Sequence, residues 1–166
     1  SRMLLVAESG SESGQAFARR FGQRRFAEHL LTLDVSSFRP CHGKLEMIEV
    51  ADDVTEIKDI MMQSFGEFIE KPWARRFVGR LDGRAVGIMD VTLEGGEASL
   101  SGFAVLPQER GKGYGRHILN AMISLILEET ESISIEVEAD NRRALELYLS
   151  SGFRQAAIYD YFEIGL

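Results

Sequence analysis

The sequence is short of most residues that would announce a special architecture. Its 166 residues include one cysteine, three prolines and one tryptophan. A lone Cys41 cannot form an internal disulfide framework and cannot by itself build a zinc site. The three histidines, His29, His42 and His117, show no metal-ligand spacing, so no metal is expected. No apolar run approaches the ~20 residues of a membrane helix, and no basic-then-apolar leader opens the chain. A soluble, cytoplasmic protein is expected. A basic stripe is missing too: 26 acidic residues outweigh 19 basic ones, for a net charge of −7. That balance argues against nucleic-acid binding, which needs phosphate-neutralising charge, and suits a cationic, amine-bearing substrate.

What remains is ordinary globular composition, 45% hydrophobic and 27% charged, in a length close to one domain. The charge is uneven. Residues 1–44 carry seven basic and four acidic side chains, and residues 45–166 carry twelve and twenty-two. The step falls at Phe38-Arg39-Pro40-Cys41-His42-Gly43, which reads as a linker. A boundary is therefore expected near residue 44, with a main domain over 45–166.

From residue 45 the pattern alternates between strand and helix periods. Leu45–Val50 reads as a strand. Asp53 would cap a helix carrying Val54, Ile57, Ile60, Met61 and Phe65 on one face. A second short helix is expected over Gly66–Arg76. Phe77–Leu81 and Ala85–Leu93 flank Asp82-Gly83, a hairpin signal. Gly95-Gly96 turns the chain into a strand over Ala98–Leu106, which Pro107 stops. An apolar helix is expected over Gly113–Glu129, followed by a strand over Ile133–Glu138. Asn141–Ser150 reads as a helix ended by Gly152, and Gln155–Ile164 as a last strand. The class is α/β, a mixed sheet flanked by helices.

The most informative stretch runs from Val105 to Arg116. A strand ends, Gly111, Gly113 and Gly115 recur at every second position, and a helix begins. Glycine lets backbone N–H groups approach a ligand closely. The first N–H groups of a helix lack internal partners and carry the positive end of its dipole. Arg110, Lys112 and Arg116 add charge, so the segment suits a pyrophosphate. Lys112 is followed by Gly113, which breaks the P-loop pattern, and Arg116 breaks the dinucleotide fingerprint.

The segment Arg110-x-x-Gly113-x-Gly115 resembles the acyl-CoA-binding signature of the GNAT superfamily of N-acyltransferases. Gly102-Phe103-Ala104-Val105-Leu106-Pro107 before it resembles the same family, as does Asn141-x-x-Ala144-x-x-x-Tyr148-x-x-x-Gly152-Phe153 after it. The resemblance implies acetyl-CoA as co-substrate and an amine of a small molecule or peptide as acceptor. It implies a pantetheine arm along Phe103, Ala104 and Val105 and a pyrophosphate on Arg110, Gly111, Lys112, Gly113, Tyr114, Gly115 and Arg116. Asn141 would contact the cofactor, and a backbone N–H near Val105 would hold the oxyanion. Tyr148 would be the general acid that protonates the leaving thiolate. The family's strand glutamate is replaced here by Ser99, leaving Glu97, Asp90 and Glu138 as candidate bases acting through water, or an amine that arrives neutral. Phe65, Phe68 and Trp73 would wall the acceptor pocket. A non-catalytic acyl-CoA-binding or scaffolding module is the alternative.

Residues 1–36 read as strand Met3–Glu8, helix Ser13–Phe21, cap Gly22 and strand Arg25–Val35. Setting Gly22 on Gly152 aligns Glu8 with Glu138 and places Ala18 where Tyr148 stands. This segment resembles the back half of a second, degenerate GNAT unit, as in tandem members of the family. Either an upstream part is missing from this chain or the segment completes another subunit's sheet; an unrelated β-α-β extension is the alternative.

Overall fold

Two tight turns organise the middle of the chain. Asp82 and Gly83 have φ of 50° and 77°, and Gly95 and Gly96 have φ of 58° and 84°, the paired positive values of the favoured two-residue hairpin turn. The computed structural model describes residues 2–40, 43–51 and 55–165. Cys41, His42, Asp53 and Val54, named above, lie outside the described residues. Among the described residues there are eight strands and four helices in an α/β arrangement of the expected class.

The chain divides into two compact units, Ser1–Leu33 with Ile135–Leu166, and Asp34–Ser134. In the second unit, β3 (Leu45–Val50), β4 (Arg75–Leu81), β5 (Arg84–Glu94) and β6 (Glu97–Val105) pair antiparallel in sequence order. Helix α2 (Thr55–Phe65) buries Ile57, Ile60 and Met61 at helical spacing. These pack with Val78, Ile88 and Leu106 into one apolar cluster. Helix α3 (Tyr114–Ile126) buries Ile118, Leu119, Met122, Ile123 and Ile126. It lies close against the sheet at Gly87, where an added Cβ would come within 2.5 Å of Ile118 Cδ1 and of the Ala104 carbonyl. That packing fixes where the helix begins.

Two expectations for this unit need correction. Residues 66–74 form no helix. Gly66 closes α2 at φ +78°, and Pro72, with no N–H to donate, cannot stand in a helix interior. Helix α3 ends at Ile126, three residues short of the expected Glu129, and Leu127–Glu129 form a turn. Glu128 and Glu129 there are exposed, and carboxylates oppose the negative end of a helix dipole.

In the first unit the strands run in the order β1 (Arg2–Glu8), β8 (Arg154–Gly165), β2 (Gln23–Asp34) and β7 (Ser132–Glu138), the last of which begins in the second unit. Strands β1 and β2 both pair antiparallel with β8. Helix α1 (Glu12–Phe21) follows β1, and helix α4 (Arg142–Ser150) follows β7. Asp160, buried on β8, ties the unit together. It accepts hydrogen bonds from Ser9 Oγ at 2.6 Å, Gln15 Nε2 at 2.9 Å and Arg24 Nε at 2.6 Å.

Candidate functional site

The second unit gathers the predicted residues from Phe103 to Arg116 in one continuous stretch. Strand β6 is regular against β5 up to Ser101, which faces Asp90, and resumes where Ala104 faces Ile88. Gly102 and Phe103 together oppose the single residue Met89, a β-bulge that bends the strand. Gly102 sits at φ +56°, and a Cβ there would lie 2.6 Å from Asp90 Oδ2. Only glycine serves this position, because both the conformation and the space exclude a side chain.

Beyond the bulge, strand β6 continues to Val105. Leu106 N–H donates to the Val86 carbonyl on β5. Peptide groups alternate along a strand, so the N–H and C=O of Val105 turn away from β5. The Val105 carbonyl accepts from a side chain, Arg110 Nε at 3.1 Å.

A single 3₁₀ turn, Pro107–Glu109, then leads into the glycine loop. Glu109 is buried and holds the loop, accepting from Arg84 and from Lys112 Nζ at 2.9 Å. Gly111 and Gly113 lie at φ +80° and +82°, with open space where a Cβ would stand. Gly113 is the N-cap of α3 and supplies no side-chain cap. The first turn of the helix holds no acidic residue. Arg110, Gly111, Lys112 and Gly113 are exposed, while Tyr114 and Gly115 are partly buried as α3 begins. Uncapped amide donors, the positive helix end and three nearby cations form a cradle suited to a diphosphate.

Sequence reasoning missed the buried ion pair beneath this strand. Arg76 Nε donates to Asp90 Oδ1 at 2.8 Å and Arg76 Nη2 to Asp90 Oδ2 at 3.1 Å, with both side chains 2% exposed. Arg76 Nη2 also donates to the Ile69 carbonyl, and Lys71 Nζ donates to Ser101 Oγ and lies 3.7 Å from Asp90 Oδ2. Asp90, named above as a candidate base, is thus the anchor that joins the 66–74 loop to the β6 bulge. Glu97 is exposed at the start of β6, and Ser99 beside it is exposed. Of the expected pocket wall, Phe68 packs on the core, whereas Phe65 and Trp73 are exposed, Trp73 at 69%.

The remaining predicted residues stand in the first unit. Asn141 caps α4, its Oδ1 accepting from Ala144 N–H at 3.2 Å. Tyr148 is the buried residue of that helix, its ring 6.0 Å from that of Phe153. Burial pushes its hydroxyl up to about 12, so it holds its proton throughout the neutral range. Glu138 is exposed at the end of β7, and His29 Nδ1 lies 2.6 Å from Gln155 Oε1. No three His, Cys, Asp or Glu side chains gather as a metal site among the described residues, and no helix there is long and apolar enough to cross a membrane.

A bulged strand running into a glycine-led helix start stands in an α/β protein built on a mixed sheet. The acetyltransferase (GNAT) family profile matches residues 34–153, and the chain belongs to that family. A mycothiol acetyltransferase of Clavibacter sepedonicus is 36% identical over 78 residues, which cover 46% of this chain and 26% of that relative. The chain thus matches about a quarter of the relative's length. Among solved structures, a GCN5-related N-acetyltransferase from Sphaerobacter thermophilus superposes with a TM-score of 0.78 at 13% identity, over 98% of this chain and 59% of the other. A tandem GNAT protein from the clavulanic acid biosynthesis pathway gives 0.72 at 12% identity, over 98% and 63%. At these identities the structural likeness carries the fold alone.

Proposed function

We propose that this chain transfers an acetyl group from acetyl-CoA to a primary amine of a small molecule or peptide. The observation that carries the reading is the cradle at Gly111–Gly115: positive-φ glycines facing open space, no capping side chain, no carboxylate in the first helical turn. Acetyl-CoA supplies an activated thioester. Lys112, Arg116 and the amides from Gly111 to Gly115 hold its diphosphate, while Arg110 sets the loop by gripping the Val105 carbonyl. The outward N–H and C=O groups of Phe103–Val105 receive the amide-bearing arm as a sheet edge receives a peptide. Val105 N–H, turned away from β5, is the donor for the developing oxyanion.

Tyr148 donates the proton to the departing sulfur. Its raised affinity for the proton leaves a gap of about 3.5 units to an ordinary thiol near 8.5, or about 5 kcal/mol. A thiolate formed in equally dry surroundings is raised by the same cause, which narrows that gap. Asn141 combines helix capping with a contact to the cofactor. Among the described residues the buried carboxylates of the second unit, Asp90 and Glu109, are both held in ion pairs, so the acceptor amine loses its proton through water or arrives neutral. Phe65, exposed at the end of α2, and Trp73, exposed in the loop after it, offer an apolar wall for the acceptor.

The test is thiol release from acetyl-CoA across a panel of amines. Turnover with at least one amine supports transfer. Binding of coenzyme A without turnover on any amine would favour a non-catalytic module instead.

A further inference from the structure

Asp90, Arg76 and Lys71 form an ionic network that the proposed chemistry does not use. Its strand residues stand in one cross-strand row. Arg76 on β4 faces Asp90 on β5, and Asp90 faces Ser101 on β6. Facing residues of neighbouring strands share one surface of the sheet. Here it is the surface that the 66–74 loop covers. Phe68 packs on the cluster of Val78 and Ile88, the next residues on that face of β4 and β5.

The loop is tied to the row at Phe68, Ile69 and Lys71. Arg76 Nη2 donates to the Ile69 carbonyl at 3.0 Å, and the Arg76 guanidinium carbon lies 5.9 Å from the centre of the Phe68 ring. Lys71 Nζ donates to Ser101 Oγ at 3.1 Å and stands 3.7 Å from Asp90 Oδ2. The same carboxylate borders the bulge, since a Cβ added at Gly102 would lie 2.6 Å from Asp90 Oδ2. One buried anion thus meets both the loop that carries Trp73 and the bend that leads into Phe103–Val105.

An ion pair with both side chains 2% exposed is a poor source of stability. Desolvation cancels much of its attraction, and apolar residues of similar volume often serve as well. What the pair supplies is direction. The planar fork of Arg76 reaches both Asp90 oxygens and a loop carbonyl at once, which fixes all three in one geometry.

We infer that Asp90, Arg76 and Lys71 are positioning residues, which set the acceptor-side loop against the bulged acyl strand so that an amine held at Phe65 and Trp73 is in line to attack the thioester. The inference rests on the acetyl-transfer reading for its chemistry and on the network alone for its geometry. Misplacing a reactant by about 1 Å can cost about a hundredfold in rate. The glycine cradle is not part of the network, so a loosened loop should be felt by the amine and not by the cofactor.

Lys71→Met and Ser101→Ala break the link between loop and β6 while leaving the Arg76–Asp90 pair in place, so both variants should fold. Trp73, the one tryptophan of the chain, reports on the loop without any turnover. Its fluorescence anisotropy should fall in both single variants, and no further in the double variant. With an amine that the wild type acetylates, kcat/KM for the amine should drop about tenfold in each single variant and no further in the double, while KM for acetyl-CoA stays within about twofold. Unchanged Trp73 anisotropy in both variants would overturn the proposal. So would an unchanged kcat/KM for the amine, or losses that multiply in the double variant, either of which leaves the transfer reading standing. If the wild type acetylates no amine, the transfer reading itself fails, and the anisotropy decides separately whether the network holds the loop.

Discussion

The two strand–helix–strand segments of the first unit share a scaffold and differ in their chemistry. Ser11 caps α1 by accepting from Gly14 N–H, and Asn141 caps α4 by accepting from Ala144 N–H, each pair 130 positions from the other. Gly22 and Gly152 both stand just past the helix end. At the matching buried position, 130 residues apart, one helix carries Ala18 and the other Tyr148. Capping and burial are requirements of the fold, and both segments meet them. A buried hydroxyl is not, since it must be desolvated at some cost, and only the second segment carries one. The comparison therefore separates the scaffold from the residue proposed to act on substrate.

Replacing that hydroxyl should give the largest effect. Tyr148→Phe removes one oxygen, and turnover is expected to fall by about 10²–10⁴-fold while coenzyme A affinity stays within about twofold. Steady-state kinetics with calorimetry checks both, and unchanged turnover would remove Tyr148 from the mechanism. The converse, filling the first segment with Ala18→Leu, adds volume at a fully buried position. It should cost about 1–3 kcal/mol in denaturant unfolding and leave the Kd for coenzyme A unchanged.

Asp160 supports the first segment by charge. Its burial alone would raise its pKa, but hydrogen bonds from Ser9, Arg24 and Gln15 together hold it below the usual carboxylate value. Its contribution is thus full above the unfolded value near 3.9 and is lost as pH falls through the lower folded value. Asp160→Asn should cost about 1–2 kcal/mol at pH 7 and flatten the acid limb of the stability profile below about pH 4. The caps give the smallest effects. Ser11→Ala and Asn141→Ala should each cost about 1 kcal/mol, but only Asn141→Ala should also weaken coenzyme A binding.

Much of this organisation was legible in the residues. Asp82-Gly83 and Gly95-Gly96 announced their hairpins because a two-residue turn with both φ positive accepts few other pairs. The cap at Asn141 and the glycine loop were legible for similar local reasons. The Arg76–Asp90 pair was not. Counting back from the Asp82-Gly83 turn, where Leu81 faces Arg84, places Arg76 opposite Met89. A register shift near Gly79 moves it to Asp90, and no local preference announces that shift. Segment 66–74 misled because Phe68, Ile69 and Trp73 have helical spacing, yet the loop is held from outside by Arg76 Nη2 on the Ile69 carbonyl. The grip of Arg110 on Val105 was likewise invisible, since it depends on how the 3₁₀ turn returns the chain beside its own strand.

Titration of coenzyme A into the wild-type chain and into Gly113→Val, followed by calorimetry, measures the cradle most directly. A β-branched residue is excluded from φ +82° and would reorient the amides that open α3. The account predicts saturable heat with the wild type and at least about a hundredfold loss of affinity in a variant that stays folded. No heat from the wild type at millimolar coenzyme A, or full affinity in the variant, would contradict it.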